Sequence, residues 1–104
     1  MPHQQEIDRF TLAFHRQAVE RLRREPQLVD QALATLERWR EQRGATASDA
    51  YLAQWRSLLL DGVDRIEREV CADDARAATL RGVSPLGFVL SAAERKALRQ
   101  ASGL

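Results

Sequence analysis

Apolar residues recur at three- and four-residue steps along most of the chain. The stretch from Pro26 to Arg43, PQLVDQALATLERWREQR, shows the rhythm most clearly. Leu28, Val29, Ala32, Leu33, Leu36 and Trp39 fall on one stripe of an α-helix, while Asp30, Glu37, Arg38, Glu41 and Arg43 fall mainly on the outer side. Pro26 suits a first helical turn, where the missing N–H would be unpaired anyway. Gly44 follows the last periodic residue, where a left-handed cap is easiest for glycine. A stripe that ends in a tryptophan needs cover, so the remaining helices are expected to be organised around this one.

Upstream, from about Gln5 to Arg24, Ile7, Phe10, Phe14, Ala18 and either Arg21 or Leu22 lie close to one helical face. Leu12, Val19 and Leu22 widen it, which suggests more than one neighbour. Pro26 disfavours α conformation at Glu25, so the two helices should be joined tightly as a hairpin. Residues 1–4 read as a loose end. Gly44 to Ala50 reads as a loop ending in a cap at Ser48 or Asp49. Tyr51, Leu52, Trp55, Leu58 and Leu59 then form another strong face, and Val63, Ile66 and Val70 resume the rhythm beyond Gly62. Two helices are expected, about 49–60 and 62–72, with one long helix as the alternative. CADDARAATLRG gives a short helix capped by Asp73 or Asp74 and closed at Gly82. VSPLGFVL is a loop that carries hydrophobic residues, extended at Ser84 before Pro85 and turning at Gly87. Ser91 and Glu94 fit a capping box for a last helix running to about Ala101, with 102–104 frayed. The predicted architecture is an all-α bundle of five to six helices, one domain over 1–104, built on the N-terminal hairpin.

Composition narrows the function classes. The chain has 104 residues, 44% hydrophobic and 30% charged, which suits a folded globular protein. A net charge of +1 argues against a general polyanion binder, although a local basic face remains open. Lys96 is the only lysine among 16 basic residues; the others are arginines, which make bidentate contacts that lysine cannot. Cys71 stands alone, so an intramolecular disulfide and a cysteine-rich zinc site are excluded. No run is long and apolar enough for a membrane span, and the N-terminus lacks the pattern of a signal peptide, so a cytoplasmic protein is expected.

Candidate chemistry is sparse. His15 beside Phe14 has no Cys, Asp or Glu at a metal or catalytic spacing. Cys71 follows an apolar stretch, and Asp73 and Asp74 should raise its pKa. Asp61, Asp64, Glu67 and Glu69 alternate with Arg65 and Arg68, the pattern of a solvated face laced with ion pairs. With no P-loop, dinucleotide turn, HExxH or nucleophile elbow, a non-enzymatic protein without metal or cofactor is expected. Arg21, Arg23 and Arg24, with Arg16, gather near the end of the first helix. They are the candidate contacts if the protein is a small DNA-binding regulator, though the helix dipole alone would favour cations there. Leu86, Phe88, Val89 and Leu90 are either a lid on the core or an anchor for a partner.

Two stretches, FHRQAVERLRREPQLVDQALATLERWR (Phe14 to Arg40) and LRGVSPLGFVLSAAER (Leu80 to Arg95), carry the pattern RLRxxPxL…LxRW…LRxxSPxxxxLxxxER. It resembles that of small bacterial helical proteins associated with toxin–antitoxin style gene pairs, often beside a nucleotidyltransferase-like partner. The resemblance implies an antitoxin-like subunit that neutralises a second bacterial protein by masking it. Arg81, Leu86, Phe88 and Arg95 are the expected contacts, and Leu86 stands where the group often has an aromatic. A self-associating structural subunit, a homodimer for instance, is a further alternative.

Overall fold

The computed structural model describes residues 4–43 and 49–101, with side chains from Asp8 onward. Six α-helices follow one another: α1 (Gln4–Arg24), α2 (Gln27–Arg43), α3 (Asp49–Asp61), α4 (Val63–Val70), α5 (Ala75–Gly82) and α6 (Ala92–Ala101). A 3₁₀ turn at Leu86–Phe88 joins α5 to α6, and no strand occurs among the described residues. The protein is thus a small all-α bundle. None of the described helices is long and apolar enough to cross a membrane. Residues 1–3, the Gly44 cap, Ser48 and residues 102–104 lie outside the described residues. Gln4, expected to be loose, opens α1.

The centre of the bundle is α1 and not the Pro26–Arg43 segment. Phe14, Ala18, Val19 and Leu22 are buried along α1, which packs on α4, α5 and α6. In α2 only Ala32 and Leu36 are buried, and this helix lies chiefly against α3, with a lighter contact to α1. The wide stripe noted on α1 explains the difference, because a helix that is apolar over more than one face can hold several neighbours. Trp39 is only half-buried; the Arg43 guanidinium from its own helix covers the ring at 5.5 Å. Its amphipathic ring tolerates that partial cover.

Local signals set the helix ends. Gly62 has φ +121°, a conformation that only glycine adopts readily, and it separates α3 from α4. Asp74, rather than Asp73, caps α5: its carboxylate accepts the Ala77 N–H at 2.8 Å. Ser91 and Glu94 form the expected reciprocal box at the start of α6. Ser91 Oγ accepts the Glu94 N–H at 3.1 Å, and Glu94 Oε1 accepts the Ser91 N–H at 3.0 Å. Fully buried Trp55 on α3 donates its indole N–H to Leu80 O at 2.7 Å, tying α3 to α5 through the core.

Candidate functional site

Of the four expected partner contacts, two belong to the interior. Leu86 is 0% exposed and sits in the core with Val89 and Leu90, so the anchor reading fails for it and the lid reading holds. The cause is the turn itself. Ser84 Oγ accepts the Leu86 N–H at 3.0 Å, drawing the chain into a 3₁₀ turn that points Leu86 inward. Arg81 is 5% exposed, and its Nη1 donates to Val70 O at 2.7 Å and Ala72 O at 2.8 Å. Those carbonyls lie at and just beyond the C-terminus of α4, where a cation answers both the unpaired acceptors and the helix dipole. Arg81 is therefore a clasp between α5 and α4. Phe88, at 40% exposure, and the exposed Arg95 remain on the surface.

Arg95 lines a cleft of about 240 Å³ bounded by α1, the end of α5, the 3₁₀ turn and α6, whereas Phe88 is not among its lining residues. Phe10 and Phe14 stand one helical turn apart on α1, their ring centroids 6.4 Å apart. Arg95 and Arg99 stand one turn apart on α6. The Arg95 guanidinium lies 5.4 Å from the Phe14 centroid, and that of Arg99 lies 5.1 Å from the Phe10 centroid. Two i,i+4 repeats on facing helices thus meet as two cation–π pairs. Gly87 completes the rim: a Cβ placed there would lie 3.6 Å from Arg95 Nη2, so the arginine head rests against the turn that carries Phe88.

Deeper in, His15 is 3% exposed, edge-on to Phe14 at 5.4 Å and 6.3 Å from the Trp55 ring centroid. Its Nδ1 donates to Thr11 O at 2.7 Å, which leaves Nε2 as a bare acceptor. Burial pushes the His15 pKa down to about 4; the Thr11 bond opposes the shift and the Arg81 charge adds to it. His15 is neutral at pH 7. His15 Nε2 and Arg81 Nε are both buried without a hydrogen-bond partner, and both residues line the cleft.

The arginines of the nucleic-acid alternative are otherwise engaged. Arg21 pairs with Glu94 of the α6 capping box and with Glu25, the latter at 3.6 Å. Arg23 meets Asp64 at 3.0 Å and Glu67 at 3.2 Å across to α4. Only exposed Arg24 remains of the three. The acidic face of α3 and α4 is laced with ion pairs, Arg65 reaching Asp61 and Glu69 at 2.6 Å each. Among the described residues no group of three or more His, Cys, Asp or Glu could hold a metal ion. The Cys71 thiol is pushed up first by burial and then by Glu67, the role expected of Asp73 and Asp74.

Sequence reading missed Arg99 and the part Phe10 plays in the cleft, whereas the burial of His15 agrees with a histidine packed beside Phe14. The i,i+4 spacing of both repeats was visible, but not that α1 and α6 face each other. The described residues define a small all-α bundle with an arginine–phenylalanine cleft at one edge. Comparison of the chain with known protein families, curated proteins and solved structures finds no match.

Proposed function

We propose that the protein is a non-enzymatic binding module that docks a partner protein on the face formed by the 3₁₀ turn and α6. The observation that carries this reading is Phe88. It is a large aromatic side chain held 40% exposed on a turn whose neighbours Pro85, Leu86, Val89 and Leu90 are all buried. A rigidly mounted aromatic beside arginine is the residue chemistry that dominates interface energetics. The exposed Arg95, Lys96 and Arg99 follow on α6 and pair with no carboxylate among the described residues, and the Arg95 head lies against Gly87, next to Phe88. Among the described residues the other exposed large apolar side chains, Tyr51 and Leu60, lie on α3. The partner is thus a protein that offers an apolar pocket for Phe88 inside an acidic rim. The antitoxin-like role follows from the resemblance: the module would cover a second bacterial protein, such as a nucleotidyltransferase-like toxin, and neutralise it by occlusion. Arg81 and Leu86 support this face from within.

Affinity capture of the tagged protein from its native cells, with wild type beside Phe88→Ser, tests the reading. A stoichiometric protein partner should be retained by wild type and lost by Phe88→Ser, with the thermal midpoint of the variant unchanged. Recovery of nucleic acid, recovery of the chain alone, or equal capture by the variant would overturn it.

A further inference from the structure

The cleft beside this face has a composition that protein docking does not require. Three arginines on two elements, Arg81, Arg95 and Arg99, line it together with Ser84, and among the described residues none that line it is acidic. In a chain with net charge +1 and 15 acidic residues, three guanidiniums around one cavity with no carboxylate among its described lining residues make a concentrated positive site. Among the described residues Arg95 and Arg99 are held by rings and not by ion pairs: Phe14 and Phe10 seat them at 5.4 and 5.1 Å. Stacking on rings leaves the guanidinium N–H edges available. Beneath them Arg81 keeps an Nε–H that is buried and has no partner. Ser84 Oγ accepts from the Leu86 N–H, so its own proton is directed elsewhere.

We infer that the cleft between α1 and α6 is a binding site for a phosphate dianion, as borne by a small phosphomonoester. A carboxylate is planar and is satisfied by one guanidinium fork. A tetrahedral phosphate presents oxygens in several directions, and here donors converge from α6 on one side and from the α5 end and turn on the other. The inference goes beyond the docking face, since it needs no protein partner, and Phe88 has no part in it.

The test is an amide-resolved NMR titration of the full chain with inorganic phosphate at constant ionic strength, followed by a small phosphomonoester and by succinate. Saturable shifts are expected at Thr11, Ser84 and Gly87. Arg95→Gln and Arg99→Gln should each weaken phosphate by about tenfold, the loss of a charge-assisted contact. Arg99→Lys should weaken it less, because the charge stays and the fork is lost. Phe88→Ser should leave phosphate binding unchanged even if it abolishes capture of a partner, which separates this site from the docking face. Shifts that do not saturate, phosphate affinity indifferent to both Arg→Gln variants, or succinate binding as tightly as phosphate would each overturn the assignment.

Discussion

His15 gives the sharpest test of how the core is built. Its imidazole is 3% exposed and carries a pKa of about 4, down from 6.5, chiefly because burial penalises the charged ring. An unfolded chain binds a proton at this residue from about pH 6.5 downward, and the folded chain only near pH 4. Between those values the unfolded state holds more protons, so stability falls as pH falls. Integrating from pH 7 to pH 4.5 gives a loss of roughly 2 kcal/mol from this one group. Glu69 and Glu94, whose pKa values are lowered, also lose their contribution in acid, so wild type alone cannot isolate the histidine. The comparison is therefore with His15→Leu, close in volume and without a titrating ring. Urea unfolding at both pH values should show wild type losing about 2 kcal/mol more than the variant over that interval. Equal losses in the two proteins would refute the buried neutral imidazole, whatever the variant does to stability at pH 7.

Other substitutions probe the junctions. Gly62→Ala meets no atom within 4 Å, yet must adopt φ +121°, so it should destabilise by about 1–3 kcal/mol in denaturant unfolding. Gly82→Ala also meets nothing within 4 Å but needs no positive φ, and at the end of α5 it should be neutral or gain up to about 1 kcal/mol. Ser91→Ala removes the acceptor for the Glu94 N–H, so about 1 kcal/mol should be lost along with helicity at the start of α6. Trp55→Phe deletes the bond to Leu80 O and leaves unfilled volume in a fully buried site, with an expected loss of about 2–4 kcal/mol in thermal or urea unfolding.

What was legible in the chain was whatever local chemistry decides. Ser91 three before Glu94 is found where the spacing puts it, while Asp74 takes the cap left open between it and Asp73, and Gly62 divides two helices where one long helix was the alternative. What was not legible depends on which helices meet. The stripes of α1 and α2 look equally strong, but only α1 is apolar widely enough to serve three neighbours. The Phe10–Phe14 and Arg95–Arg99 repeats become a site only because α1 and α6 are adjacent. Alternation in Leu86, Phe88 and Leu90 left open which side faced inward. The 3₁₀ turn places Leu86 and Leu90 inside and Phe88 between them outside, a pattern set by the Ser84 hydroxyl and invisible to periodicity.

The stretch from Arg81 to Glu94 has consequences for reading any sequence that shares its spacing. Arg81 closes the end of α4, Ser84 shapes the turn, Pro85 is fully buried, and Leu90 fills the core. Glu94 both caps α6 and binds Arg21 on α1. Five positions of the LRxxSPxxxxLxxxER pattern thus hold α4, α5 and α6 against α1, and Arg81, Ser84 and Arg95 also line the cleft. A shared pattern of this kind reports a shared clasp before it reports a shared partner. On the docking reading proposed above, partner choice would belong instead to Phe88, Lys96 and Arg99, which lie outside the pattern's fixed positions. Exchanging those three between two proteins with the same clasp should transfer binding while leaving the folding midpoint in place. Exchange of Arg81 or Ser84 should shift the midpoint and leave partner choice alone.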